Sequence, residues 1–344
     1  MNISALSEFE LIARLTAGLE TRVATDLGVG DDCAIIDPGA NGGDGDLLLM
    51  TCDSQVEGVH FTLQTSLPEH IGRKALAINL SDIAAMGGEP RYALISLLLP
   101  SNLALEVLDG IYAGLRDEAL RYKTAIIGGN IAGVGKSGQL IIDITVMGSV
   151  KRGQALLRSG AQVGDVLCTT GSLGDSAAGL YTLLQPEAAY RQEDLIVVRN
   201  AHTKPRPCVE EGRVLSRFGP QVVTSLLDVS DGLSGDLSHI CERSNVGACV
   251  DLASLPLSQA MRRVAEVAGK APEHWALHGG EDYELLFTIA PGYEQAVSDA
   301  VKQATGTPVS VIGSIIPAAE GMSLLYPDGH QEPLDVQSWD HLKH

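Results

Sequence analysis

The chain has 344 residues, enough for two domains at the usual span of about 100–200 residues each, and 45% of them are apolar, which excludes a disordered polypeptide. Its net charge of −19, from 43 acidic and 24 basic residues, excludes the basic face that a nucleic-acid partner requires. The longest apolar stretch, at Tyr92–Leu99, falls far short of the ~20 residues of a membrane helix, and the first residues lack a signal-peptide pattern, so a cytoplasmic protein without a membrane partner is expected.

Apolar spacing predicts a helix over Glu8–Ala17 and strands at Ala34–Asp37 and Leu47–Thr51. A long helix follows from about Glu69 to Met86, stopped by Gly87-Gly88 and Pro90. Next come a strand (Tyr92–Leu99), a helix (Leu103–Tyr122), a short strand (Thr124–Ile127) and another strand (Leu140–Gly148). The Gly-rich, basic stretch Lys151–Gly164 reads as a junction, giving domains 1–150 and 151–344. The second half predicts strand Asp165–Thr170, helices Asp175–Leu184 and Val209–Phe218, strand Val222–Leu227, helix Leu233–Arg243 and strand Ala248–Leu252. Strands Glu284–Ile289 and Val309–Ile315 then flank a helix near Gly292–Ala304. The fold class is α/β in the α+β sense, with an N-terminal mixed sheet that has its helices on one side.

Six scattered cysteines form no C-x-x-C pair and have no histidine at finger spacing, so free thiols are expected rather than a zinc site. The segment Asn130–Ser137 misses the phosphate-loop pattern G-x-x-x-x-G-K-[ST] by one residue. Such a loop needs a helix at its Lys-Ser, whose N–H groups and dipole hold phosphate, whereas Gln139–Met147 is β-branched; Gly133–Gly138 reads as a hairpin loop.

The chemistry lies in the acids. Asp31-Asp32 follows a Gly turn, and adjacent carboxylates repel unless a cation or hydrogen-bond donors intervene, though a solvated turn fits equally. Asp53 ends a strand at Thr51-Cys52-Asp53, with His60 seven residues on. Asp82 sits near the C-terminus of a helix that is apolar nearly all round. There the helix dipole disfavours an anion by ~0.3–1 kcal/mol, so a buried carboxylate needs a partner, and a cation is the best one. Asp228-Val-Ser230-Asp231 places three oxygen-bearing side chains between a strand and a helix, more than capping alone requires. Gly279-Gly-Glu281-Asp282-Tyr-Glu284 reads as a solvated turn by its acids, but its glycine pair suggests close approach of backbone or ligand.

The motifs at 28–34, 51–60, 79–87, 158–161, 174–180, 228–233 and 279–285, with Trp339-Asp-His near the end, together resemble the thiamine-monophosphate kinase family, within the aminoimidazole ribonucleotide synthetase-like superfamily. The resemblance implies a homodimer whose N-terminal sheets form a barrel, ATP as co-substrate, several Mg2+ ions, and thiamine monophosphate as acceptor. By motif match it implies metal ligation by Asp32, Thr51, the backbone at Cys52, Asp53, Asp82, Asn130, Asp228 and Asp231. It likewise implies ATP contacts at Tyr112, Gly129, Asn130, Arg158 and Ser230, and substrate contacts at His60, Glu281 and Trp339. The family's Gly-Gly-Asp-Thr reads Gly128-Gly129-Asn130-Ile131 here, so one magnesium position should be weaker.

The reaction expected is direct in-line transfer held by Asp82 and Asp231, with no general base, because a phosphate monoester with a second pKa of about 6 is already largely dianionic. The alternatives are another ATP-using member of the superfamily, of the purine-ring ligase type, or a nucleotide-binding scaffold weakened at Asn130.

Overall fold

The computed structural model describes residues 8–17, 19, 26–39, 45–186 and 188–337. Helix α1 (Glu8–Thr16) precedes a five-stranded mixed sheet made of β1 (Ala34–Ile36), β2 (Leu47–Val56), β3 (Glu89–Leu99), β4 (Ala125–Gly133) and β5 (Ile141–Val150). Their spatial order is β1-β2-β5-β3-β4, antiparallel except for the β3–β4 pair. Helices α2 (Pro68–Ala85) and α3 (Leu105–Arg121) occupy the connections on either side of β3. Proline at the first helical position starts α2, where its missing N–H costs nothing. Gly87, at φ +69, and Gly88 end it, as expected.

Two expectations about this sheet change. Strand β2 runs to Val56 rather than ending at Thr51, so Asp53 lies within a strand and Cys52 faces the opposite side from its two neighbours. Strand β4 runs to Gly133 rather than Ile127, and Gly133–Gly138 is not a hairpin: β5 pairs with β2 and β3, leaving β4 on the edge beyond β3. The segment Gly128–Gly133 has little strand propensity of its own and extends because β3 offers it backbone partners. Asn130–Gly133 is strand and no helix follows it, so the near-match to a phosphate loop carries no such loop.

The rest of the chain builds a seven-stranded sheet, β12-β11-β8-β10-β6-β9-β7, antiparallel except between β8 and β11. It contains β6 (Val166–Thr170), β7 (Val223–Asp228), β8 (Val246–Asp251), β9 (Leu285–Ile289), β10 (Val309–Pro317), β11 (Met322–Leu325) and β12 (Gln331–Pro333). Helices α4 (Asp175–Leu184), α5 (Gln192–Thr203), α6 (Val209–Phe218), α7 (Leu233–Ser244), α8 (Gln259–Ala268), α9 (Pro272–His278) and α10 (Glu294–Thr305) surround it. One apolar cluster joins the two sheets: Leu76, Leu80 and Ile83 of α2 pack with Leu215 of α6, Leu226 of β7 and Phe287 of β9, all buried. Helix α2 is buried nearly all round because it is the central helix of the molecule. Among the described residues, no helix is long and apolar enough to cross a membrane.

Candidate active site

The C-terminal half of α2 meets the middle of β2, the turn before β1 and the end of β7, and each brings an aspartate. One oxygen from each of Asp32, Asp82 and Asp228 lies within 4.8 Å of the others. Their orientation is fixed by neighbours on other elements. Thr51 Oγ1 donates to Asp82 Oδ2 at 2.5 Å, and Ser81 Oγ donates to Asp228 Oδ2 at 2.5 Å. Asn79 Oδ1 accepts from the Asp53 N–H at 3.0 Å, tying β2 to α2 beside the cluster. Arg158 answers the repulsion expected of the adjacent pair at 31 and 32. Its backbone N–H donates to Asp31 Oδ1 at 2.7 Å, and its guanidinium donates to Asp32 Oδ1 from Nη2 at 2.6 Å and from Nε at 3.2 Å.

The cluster remains short of positive charge. Burial, then the charges of Asp53, Asp228 and Asp32, push the Asp82 pKa well above the usual carboxylate range. Burial and then the charge of Asp32 raise Asp228 to about 7. Asp31 is raised to about 6, mostly by burial. Asp32 Oδ2 is buried and has no hydrogen-bond partner among the described residues. A hard divalent cation takes oxygen ligands, and three converging carboxylates with one oxygen unpartnered suit magnesium.

Asp231 and Ser230 follow β7 beside this group. The Asp231 N–H donates to Asp236 Oδ2 at 3.1 Å. Asp236, in the first turn of α7, is a buried acid that sequence reasoning missed; burial and the charges of Asp231 and Asp228 raise its pKa. Ser81 was missed as well, although it stands next to Asp82, because its partner is remote in sequence.

The turn at 279–284 lies directly against the 228–231 loop, since Glu281 N–H donates to Ser230 O at 2.7 Å and Tyr283 N–H to Val229 O at 2.8 Å. A Cβ on Gly280 would stand 2.5 Å from Ser230 O, and one on Gly279 2.4 Å from Trp275 O, so the glycine pair does serve close backbone approach. The expected solvated turn is not what forms: each acid has a partner inside the fold. Glu281 Oε1 pairs with Lys74 Nζ at 2.6 Å and Oε2 with His202 Nδ1 at 3.2 Å. Asp282 accepts the Gly174 and Ser176 N–H groups at the start of α4, and Glu284 accepts from Thr170 Oγ1 at 2.6 Å. Burial alone would raise the Glu281 pKa, but the charge of Lys74 and the hydrogen bonds from His202 and Lys74 hold it well below the usual range.

The remaining expected site residues stand apart. The Cys52 thiol lies on the other face of the sheet, accepting from Thr145 Oγ1 at 3.4 Å, so a contribution to a cation falls to its backbone. His60, in the turn after β2, accepts the Val56 N–H on Nδ1 at 3.0 Å, which puts the proton of the neutral ring on Nε2. Gly129 is level with Asp53 across β5 and β3, three strands away, or about 14 Å at the usual strand spacing. A Cβ on Gly129 would meet Ile95 O at 1.8 Å. Asn130 is level with Ser96 and Asp143, on the face opposite Thr51. Tyr112 lies on α3, with Arg116 over its ring at 5.7 Å. Trp339 lies outside the described residues.

Comparison with known proteins gives this geometry its context. The N-terminal domain of AIR synthase related proteins matches residues 30–150, and the C-terminal domain of the same family matches residues 162–323. The thiamine-monophosphate kinase of Bacillus subtilis (strain 168) is 35% identical over 341 residues, covering 98% of this chain and 100% of the relative. That of Escherichia coli (strain K12) is 37% identical over 341 residues, covering 98% of each. A solved structure of AaThiL complexed with AMPPCP and TMP aligns with a TM-score of 0.83 at 32% identity, covering 99% of each chain.

Proposed function

The chain belongs to the thiamine-monophosphate kinase family of AIR synthase related proteins, and on that footing we propose that it transfers the γ-phosphoryl group of ATP to thiamine monophosphate, giving ADP and thiamine diphosphate. The observation that carries this reading is the group of three mutually oriented carboxylates, Asp32, Asp82 and Asp228, with a buried oxygen left unpartnered. Bound magnesium would supply the positive charge that lets a dianionic acceptor approach a polyphosphate and that stabilises a loose transition state. Asp32, Asp82 and Asp228 would hold it, with Asp53, Asp231 and the backbone at Cys52 at the edges of the group. Thr51 and Ser81 keep two of these carboxylates turned inward. Arg158, paired with Asp32, and Ser230 would be the groups for the phosphates of ATP. No side chain has to remove a proton, since the acceptor phosphate is already ionised near neutral pH.

His60, Glu281 and Trp339 are the groups for the organic part of the acceptor, an anion and an aromatic ring both suiting a flat cationic thiazolium. Gly129 and Asn130 lie too far across the sheet to join the cluster of their own protomer, so we assign them, together with Tyr112 of α3, to the site of a partner copy in a homodimer. Strands β3 and β4 support this reading with exposed apolar side chains: Tyr92 (47%), Leu94 (45%), Ile127 (56%) and Ile131 (66%). Because Asn130 brings an oxygen without a charge, one magnesium position is the weaker. Cys33, Cys52, Cys168, Cys208, Cys241 and Cys249 are all free thiols, which fits a cytoplasmic enzyme.

An ADP-release assay with thiamine monophosphate, thiamine and aminoimidazole-pathway substrates side by side tests the assignment. Turnover with thiamine monophosphate and magnesium is the expected result. Turnover only with a purine precursor would overturn it.

A further inference from the structure

Helix α2 reaches into the second half of the chain twice, through Lys74 to Glu281 and through Ser81 to Asp228. Seven residues separate the two side chains, so they lie about 10 Å apart along the axis and within roughly 20° of one another around it. One helix face therefore sets the distance between the aspartate cluster and the glutamate assigned to the acceptor.

Glu281 is held from three directions. Its backbone, at φ +67, is in the left-handed region and is fixed to Ser230 O. One carboxylate oxygen is bound by Lys74 on α2 and the other by His202 on α5, which also lies 3.2 Å from Ser176 Oγ on α4. Burial and the charge of Lys74 lower the His202 pKa, and its Nδ1 faces both Glu281 Oε2 and Ser176 Oγ at 3.2 Å. The side chain of Lys74 is 5% exposed and that of Glu281 24%. The ammonium thus sits behind the carboxylate, out of reach of a ligand, while the carboxylate keeps lone pairs for one.

We propose that Lys74 is a positioning residue for the acceptor: it keeps the Glu281 carboxylate aimed, at a spacing from the aspartate cluster that α2 fixes. The proposal rests on Glu281 as an acceptor contact. A cationic ring held at Glu281 and a phosphate held at the cluster would then be registered on the same helix. Lys74, His202 and Glu281 are not among the residues assigned to the nucleotide, so loss of Lys74 should affect the acceptor more than ATP.

The test is steady-state kinetics of Lys74→Met, Lys74→Arg and Glu281→Gln, with each substrate varied in turn and thermal unfolding followed in parallel. Lys74→Met should raise the KM for thiamine monophosphate about tenfold or more, the order expected for removing one partner of a buried ion pair, with the ATP KM within about twofold of wild type. Lys74→Arg should give a smaller rise in the same constant, because the guanidinium keeps the charge but not the ammonium's place. The double variant Lys74→Met/Glu281→Gln should be no worse than Glu281→Gln alone, since Lys74 acts through Glu281. If Glu281→Gln raises the acceptor KM while Lys74→Met lowers only the melting temperature, Lys74 is a structural tie and the proposal fails. If Glu281→Gln leaves the acceptor KM unchanged, the assignment of Glu281 fails, and the proposal fails with it. Should Lys74→Met not fold, Lys74→Arg decides, and an unchanged acceptor KM in it overturns the proposal.

Discussion

Two parts of α2 meet acids in opposite electrostatic states. Near its C-terminus, Asp82 meets Asp32 and Asp228, whose charges add to burial in raising the Asp82 pKa, with Arg158 as the cation at hand. Toward its N-terminus, Lys74 and His202 take both oxygens of Glu281 and hold it ionised. The first arrangement is destabilising until something positive arrives; the second is complete within the fold. An acid that the protein has neutralised itself positions other groups, whereas acids left in mutual repulsion mark where a cation is to be bound.

The largest effect should come from breaking the unneutralised end. Asp82→Asn should lower turnover by at least about a hundredfold, because it removes a charge from the group that holds the phosphates. The same change relieves repulsion, so the melting temperature in magnesium-free buffer should hold or rise. A clear fall in that temperature would mean that Asp82 is already neutralised within the fold, as Glu281 is by Lys74. At the other end the signs reverse. Glu281→Gln leaves Lys74 buried without its counter-charge and should cost about 3–5 kcal/mol of stability, read by denaturant unfolding. Loss of less than about 1 kcal/mol would show that the ion pair is solvated and would remove the contrast.

Proton linkage sharpens the same comparison. Asp228 has a folded-state pKa raised to about 7, so the metal-free protein binds this proton more readily than the unfolded chain does. That end gains stability as pH falls from 8 toward 6. Magnesium competes for the same oxygens, so its stabilising effect should be greatest near pH 8 and shrink toward pH 6. The Glu281 pKa is depressed, so its contribution is present above the unfolded value of about 4.3 and is lost as pH falls below it. Melting curves with and without magnesium at each pH isolate the aspartate end, because contributions from His202 and Glu281 cancel between them. Parallel curves across the range would sink the idea that protons and magnesium share one site.

Much of the aspartate end was legible in the sequence, for a physical reason. A carboxylate near the C-terminus of an all-apolar helix conflicts with its surroundings, and conflict of that kind is local enough to read. Helices α4 and α6 also fall at the expected residues, since their apolar spacing is regular. The Glu281 end was hidden. Its three acids fit a solvated turn until Lys74, His202, Gly174 and Thr170 arrive from distant parts of the chain. Helix α5 went unread because its Leu-Ile-Val-Val run obscures a helical period, and β12 because Gln-Glu-Pro has no strand pattern of its own. The extension of β2 past Thr51 was hidden by the polar residues Asp53-Ser54-Gln55, which pair with β5 all the same.

The smallest expected effect lies at Asn130, and it separates a site built within one protomer from one shared between two. Gly129 and Asn130 are about 14 Å across the sheet from β2, and Asn130 shares its face with Asp143 rather than with Thr51. If each protomer were sufficient alone, Asn130→Asp would add a charge remote from the cation and leave the magnesium dependence as it is. If a partner's β4 completes the site, the added carboxylate joins the metal shell and should lower the magnesium concentration for half-maximal activity by about three- to tenfold, which is what remains when desolvation offsets most of the ~4 kcal/mol of a close charge pair at an effective dielectric constant near 20. The shift should appear only where sedimentation shows a dimer and vanish on dilution into monomer. A magnesium titration of Asn130→Asp that overlays wild type in the dimer would return the site to the single chain, and with it the whole burden of neutralising Asp32, Asp82 and Asp228.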